Sequence, residues 1–315
     1  AVVIGSGLGG LAAAVRLGAR GYEVTVLEKL DNPGGRAYVF ERDGFVFDAG
    51  PTIITAPFIL EELWERAGRR LEDDLDLVAM NPYYRIRFHD GTHFDYSGDD
   101  AAMKEQIARF EPADVAGYEK FLEASAKLYA IGFDELMVTS FHQIGRMMGA
   151  IPGLVKAQFY RSVVSLVSRY ISNPKLRQVF SFHPLLIGGN PFQTTAVYAL
   201  IAQLERRYGV HFAMGGMGSL VNGMAGLIEH QGNEIRYNAT VEEILLDESG
   251  GKPRAAGVRL ASGEELAADV VVSNADSAWT YQKLLPERAR RRWTDRKLDR
   301  ARYSMSLFVW YFGTD

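Results

Sequence analysis

Cysteine does not occur among the 315 residues, which excludes disulfides, cysteine-ligated metals, iron–sulfur clusters and any cofactor attached through a cysteine. The absence fits a reducing compartment, and no metal is expected. A run of eighteen apolar residues is also missing, so no stretch reads as a membrane-spanning helix. Neither sign of charge dominates: 35 Lys and Arg stand against 39 Asp and Glu, and the net charge of −4 argues against a general nucleic-acid binder. There is no internal repeat, no low-complexity tract and no secretory leader pattern. The first residue is not Met, and a few residues are expected upstream. What is present is ordinary for a globular chain, with 47% hydrophobic and 23% charged residues over a length that suits two lobes.

The chain is organised around its first ten residues, AVVIGSGLGG. The apolar run from Ala1 to Ile4 fits a buried strand, and the alanine-rich stretch 11–20 has helical character. Between them lies G-x-G-x-x-G, a dinucleotide fingerprint in strand–turn–helix context. Gly5 permits the tight turn, Gly7 lets a pyrophosphate approach the backbone, and Gly10 lets helix and strand pack closely. The helix N-terminus then offers unpaired N–H groups and a partial positive charge to the phosphates. A second strand, residues 22–27, ends at Glu28, eighteen residues beyond Gly10. A carboxylate there can accept from both hydroxyls of an adenosine ribose and would repel a 2′-phosphate, which favours FAD or NAD over NADP.

Further along, Pro33, Gly34 and Gly35 make a turn that presents Arg36, either to neutralise a pyrophosphate as a planar fork or as a solvated surface arginine. FVFDAGPT, residues 45–52, is a second place where backbone can lie close to a flat ligand. Residues 58–66 have helical spacing. Asp90-Gly91 between two strand-like segments signals a two-residue hairpin that opens a second lobe. Residues 114–172 are helical, with an interruption expected at 151–153. Within 136–178 there are six basic residues (Arg146, Lys156, Arg161, Arg169, Lys175, Arg177) and no acid. They alternate with Leu136, Met137, Phe141, Met147, Met148, Ile151, Leu154, Val155, Phe159 and Tyr160. Two readings stand for this stretch: a surface that dips into an anionic lipid interface, or a helical cap with its apolar face buried and a solvated basic face. Helices are expected over 196–208 and 220–230. Residues 233–273 look like a meander whose last segment, VVVSNAD, returns the chain to the first lobe. Residues 288–302 read as a charged helix and 305–312 as a long apolar strand.

In this order, VVIGSGLGG, Glu28, PGGRAYVF, FDAGPT, LLIGGNPF, LERRYGVHF, GGMGSLVNGM and VVSNAD resemble the bacterial and fungal phytoene desaturases. These are FAD-dependent carotenoid dehydrogenases of the flavin amine oxidase superfamily. The likeness covers essentially the whole chain, and its central block, LLIGGNPF to GGMGSLVNGM, is specific to the carotenoid branch. It implies an α/β fold: a Rossmann-type FAD-binding domain of flavin amine oxidase architecture with an inserted α+β substrate- and membrane-facing domain. The FAD domain would take 1–78 and 214–283, and the substrate domain 79–213 and 284–315.

Carried over by position, Gly5, Gly7, Gly9 and Gly10 would line the pyrophosphate, with Gly35 and Arg36 meeting the phosphates. Glu28 would hold the adenosine ribose with Lys29 beside it. Gly50, Pro51 and Thr52 would sit near the isoalloxazine, Val241 would contact the adenine through its backbone, and Asn274 and Ala275 would close the site. The implied reaction is desaturation of a linear polyene, 15-cis-phytoene towards lycopene. A hydride goes to the flavin and the adjacent proton to a base or water, with oxygen or a membrane quinone as final acceptor. The resulting cation is delocalised, so no strongly tuned base is required, and no catalytic residue is assigned. His183 and His211 are the candidates in the specific block, against the commoner role of a core histidine. A lipid-soluble substrate tips 136–178 towards the membrane and implies a cytoplasmic protein, peripheral on the inner face of the cell membrane. An isomerase or ketolase of the same fold, a desaturase for thirty-carbon diapophytoene, and a non-catalytic prenyl-lipid binder like the GDP-dissociation inhibitors are the alternatives.

There are two departures from the family. Its further C-terminal glycine-rich motif is absent, so the chain reads as an N-terminal fragment, expected by itself to bind FAD poorly and turn nothing over. The family's Gly-Thr-Gly is here Gly216-Met217-Gly218.

Overall fold

The computed structural model describes residues 1–135, 144–290, 292–305 and 307–314. Leu136, Met137 and Phe141, and the side chains of Arg146 and Met147, lie outside the described residues. The chain divides into two compact units, one of 1–78, 212–303 and 309–315, the other of 79–211 and 304–308. Residues 284–303, expected with the substrate domain, thus belong to the first unit.

The first unit is built on strand β1 (Val2–Ile4), helix α1 (Leu8–Gly18) and strand β2 (Thr25–Leu27). β1 is central in a four-stranded parallel sheet, ordered Val271–Ser273, β1, β2, Glu234–Arg236. Side chains alternate across the strands, and both faces are covered. Val3 and Val26 pack against α1 and the helix Met217–His230, through Leu11, Val15, Leu220, Leu227 and Ile228. Val2, Ile4 and Leu27 face Val241, Ile244, Val258, Leu260 and Leu284. The expected meander is therefore split. Its first and last strands join the parallel sheet, and Val241–Asp247, Arg254–Leu260 and Glu265–Ala267 form a separate antiparallel sheet. The helix Met217–His230 begins at Gly216, which has no side chain to cap it, and Asp48 substitutes by accepting the Met217 N–H at 3.0 Å.

The second unit has its own core, in which Phe94, Phe121, Leu128, Leu166 and Phe180 are fully buried. Its hairpin pairs Tyr84–Arg87 with His93–Tyr96. The connection is five residues long, wider than the expected two-residue turn, because Phe88 N–H bonds to the Thr92 carbonyl and Gly91 N–H to the Phe88 carbonyl. Asp114, nearly buried, accepts from the amides of Ser172 and Asn173 at 2.7 and 2.8 Å and so fixes the entry to the helix Pro174–Ser181.

The interruption expected at 151–153 does not occur, since the helix Ile144–Lys156 runs through Pro152. Pro152 is exposed, so water can take the carbonyl its ring leaves without a donor. The expected charged helix over 288–302 shrinks to Asp295–Asp299. No strand forms among the described residues of 305–312, where no ladder partner is present. Tyr311 instead lies 5.4 Å from Phe47 and 5.9 Å from Phe40, ring to ring. Among the described residues no helix is long and apolar enough to cross a membrane.

Candidate functional site: a dinucleotide cleft at the sheet's carboxyl edge

All four parallel strands end at one edge of the sheet, and the segments that follow them converge on a cleft of about 860 Å³. The carboxyl edge of an open α/β sheet is where such folds bind ligands, and the volume falls within the range of small-molecule sites. After β1 come Gly5 and Gly7, after β2 Glu28 and Lys29, after Glu234–Arg236 the segment 239–241, and after Val271–Ser273 Asn274 and Ala275. Gly35, Arg36 and Pro51 also line the cleft.

Of the fourteen positions expected at the site, ten line the cleft. Gly9, Gly10, Gly50 and Thr52 do not, and for three of them the structure shows what they do instead. A Cβ at Gly10 would sit 2.0 Å from the Gly5 carbonyl oxygen, so only glycine lets α1 close on the turn after β1. A Cβ at Gly50 would sit 2.2 Å from the Arg36 carbonyl oxygen, which makes Gly50 the seat of the arginine turn. The Asn274 carboxamide stands 2.6 Å from where a Cβ at Gly9 would lie, and so ties the fourth strand to the first turn of α1.

The glycine loop and the arginine turn form one backbone unit. Gly34 N–H donates to the Ser6 carbonyl at 3.0 Å, and Gly7 and Gly34 form an isolated parallel bridge. Helix α1 starts at Gly7 with no side-chain cap and no acid in its first turn, leaving its amides available to an anion. Arg36 and Lys29 are exposed, and among the described residues neither has a carboxylate partner. A cradle of free amides flanked by two cations suits a pyrophosphate.

Glu28 is only 4% exposed. Its Oε2 accepts from the Ser6 amide at 2.8 Å and the Ser6 hydroxyl at 2.7 Å, and its Oε1 from the Leu30 amide at 2.9 Å. A carboxylate has about four acceptor positions, so one remains, on Oε1. The expectation of two ribose hydroxyls narrows to one, because the chain itself uses the rest. The backbone carbonyl of Glu28 accepts from Ala239 N–H at 2.8 Å, which fixes the segment 239–241 beside the end of β2.

The two histidines do not line the cleft. His183 is fully buried in the second unit, its Nε2 3.1 Å from Glu205 Oε2, while the Tyr84 hydroxyl donates to Glu205 Oε1 at 2.5 Å. Burial and the neighbouring Glu205 carboxylate push the Tyr84 hydroxyl well above the ordinary tyrosine range. His183 is thus a core histidine with a carboxylate partner. Among the described residues no group of three His, Asp or Glu could hold a metal ion. Sequence reasoning missed Leu30, Ala239, Thr240, Trp279 and Leu284, all of which line the cleft. For Leu30, Ala239 and Thr240 the only signal was position just beyond the expected strands; Trp279 and Leu284, on the helical segments after the last strand, had none.

The sheet, the glycine loop and the carboxylate after β2 define a Rossmann-type dinucleotide-binding protein. Flavin containing amine oxidoreductases match residues 8–313, and the chain belongs to that family. It is 49% identical over 316 residues to a neurosporene-forming phytoene desaturase of Cereibacter sphaeroides, covering 100% of this chain and 60% of the relative. A lycopene-forming phytoene desaturase of Pseudescherichia vulneris is 47% identical, with 99% of this chain and 63% of the relative covered. Among solved structures, a Pyrococcus furiosus protein aligns with a TM-score of 0.64 at 20% identity, over 96% of this chain and 65% of that one. The chain spans about 60% of the length of the curated relatives it matches. The family contains flavin, and a glycine loop facing an acid at the end of β2 suits a dinucleotide, so the cofactor is FAD.

Proposed function

We propose that the chain is the cofactor-binding portion of an FAD-dependent desaturase that takes phytoene, a linear polyene, towards lycopene. The observation that carries the reading is the intact dinucleotide cleft, with Glu28 and Arg36 both in place, in a chain close to half identical to phytoene desaturases. Bound FAD supplies the acceptor for a hydride from an allylic carbon. The chain's own residues hold it: Gly5, Gly7 and the first-turn amides of α1 at the pyrophosphate, Arg36 and Lys29 against its charge, and Glu28 at the ribose. Val241 meets the adenine, Pro51 and its neighbours Gly50 and Thr52 lie towards the isoalloxazine, and Asn274 and Ala275 close the far wall. No buried acid–base pair is needed in the cleft, because the cation left on a polyene is delocalised and water can take the adjacent proton. Oxygen or a membrane quinone reoxidises the flavin.

The same reading includes a peripheral membrane contact on the cytoplasmic face. On the helix Ile144–Lys156, Met148, Ile151, Pro152 and Val155 are all exposed. Their i, i+3, i+4, i+7 spacing gathers them into one apolar stripe, with exposed Lys156 at the end of the helix and Arg169, also exposed, further along the chain. Lys175 does not contribute, since it pairs with Asp90. Replacing Ile151 and Val155 by Asp is expected to release the protein from anionic liposomes. Unchanged binding would remove the membrane contact.

The function is tested by expressing the gene to its natural stop codon in cells that accumulate phytoene, with pigments separated by chromatography. Polyenes with added double bonds are expected. Unchanged phytoene alongside FAD-loaded protein would overturn the substrate and shift the reading to an isomerase, a ketolase or another chain length.

A further inference from the structure

Trp279 lies at the rim of the cleft, 56% exposed, on a short helix, Ser277–Trp279. Its backbone is held on three sides. The Asp276 carboxylate accepts from the amides of Ala278 and Trp279 at 2.9 and 3.2 Å. The Thr280 hydroxyl bonds to that of Ser273, on the sheet strand, at 2.7 Å. Leu284, one turn further on, is buried with Val241 and Ala239. Among the described residues the indole makes no hydrogen bond, and more than half of the residue is exposed. Trp64 is buried and donates to Asp74, Trp293 packs on Tyr281 and Lys297, and Trp310 on Phe312. Trp279 meets no ring or cation among the described residues. A large flat side chain on a fixed stem, uncovered at the mouth of a ligand cleft, is placed to stack on a flat ligand.

The two ends of the cleft differ. Pro51 follows Gly50, which sits on the arginine turn, whereas Leu27, Ala239, Val241 and Leu284 form an apolar wall next to Glu28, whose backbone carbonyl accepts from Ala239 N–H. A base attached to a ribose held by Glu28 meets that wall, and Trp279 shares the cleft with Leu284 and Val241. We propose that Trp279 stacks on the adenine of FAD and clamps it against the Val241–Leu284 wall, so that it sets how tightly the cofactor is retained. The inference rests on the FAD reading of the cleft.

The test uses the protein at its natural length, freed of cofactor, with ADP and FMN as separate probes for the two halves of FAD. ADP is expected to quench tryptophan emission in the wild type and to leave the emission of Trp279→Phe unchanged. Trp279→Ala is expected to weaken ADP binding about tenfold, while Trp279→Phe keeps it within about threefold, since base–aromatic stacking tolerates the exchange of one ring for another. FMN should bind Trp279→Ala as tightly as the wild type. ADP bound without quenching, or unchanged ADP affinity in Trp279→Ala, would overturn the clamp and leave the FAD reading standing. A loss of FMN affinity in Trp279→Ala with ADP affinity unchanged would put the ring at the flavin end and also overturn it. A wild type that binds neither ADP nor FAD would overturn the cofactor reading and the clamp together.

Discussion

Glu28→Gln separates two roles that a ribose-binding carboxylate could play. If Glu28 serves only the cofactor, the substitution weakens FAD and leaves the cofactor-free fold untouched. The structure shows the scaffold role, since three of its acceptor positions are taken by the amide and hydroxyl of Ser6 and the amide of Leu30. A glutamine turned with its oxygen to Ser6 keeps those two bonds but loses their charge assistance, worth about 1 kcal/mol in total. Its NH2 then faces the Leu30 N–H, donor against donor, and leaving that amide without an acceptor costs about 1–2 kcal/mol. The sum is a loss of about 2–3 kcal/mol in the absence of any cofactor. Urea unfolding of apo-protein, followed by far-UV circular dichroism, reads this as a lower midpoint at unchanged slope. Combining Glu28→Gln with Ser6→Ala should cost less than the two changes added separately, because both weaken the bond between the Ser6 hydroxyl and residue 28. An apo midpoint identical to wild type would refute the scaffold role.

Gly10→Ala would drive a methyl group to 2.0 Å from the Gly5 carbonyl oxygen, and the expected outcome is loss of FAD from the purified protein together with a lower melting temperature. Glu205→Ala leaves the Tyr84 hydroxyl and His183 Nε2 buried without partners. That costs about 3 kcal/mol, read in the unfolding of the second unit, and Glu205→Gln should recover most of it. Tyr84 titrates above the ordinary tyrosine value in the fold because of burial and Glu205. The folded state therefore binds its proton more tightly than the unfolded one. Its contribution is complete below about pH 10 and declines as pH rises past that value. Tyr84→Phe should make the alkaline limb of a stability–pH curve shallower.

The glycine fingerprint, Glu28 and the arginine turn were legible because few residue types serve at each: no other residue clears the Gly5 carbonyl at position 10, and a glutamine at position 28 cannot accept from both Ser6 and Leu30. The apolar run from Ala1 to Ile4 likewise marked a buried strand. The partners of those residues were not legible. Ala239 reaches the Glu28 carbonyl from more than two hundred positions away, and Asn274 reaches Gly9 from still further. Asp48 caps a helix that begins at Met217, a role no local spacing encodes. Pro152 promised a break, and its exposure removed the need for one. The apolar run after 305 suggested a strand, but strands need ladder partners, and apolar composition alone does not supply them. His183 could be read as catalytic or as core, and what decides is Glu205, twenty-two residues on and invisible as a partner until both are buried together.

The central claim is that FAD in this cleft accepts a hydride from a linear polyene, and the anaerobic half-reaction tests it most directly. Natural-length protein loaded with FAD is mixed with phytoene in liposomes under nitrogen, and the visible flavin absorption is followed alongside the extracted pigments. Bleaching of the flavin, matched mole for mole by new carbon–carbon double bonds, is the predicted result. A flavin that stays oxidised while phytoene is recovered unchanged, or is isomerised at constant mass, would contradict it.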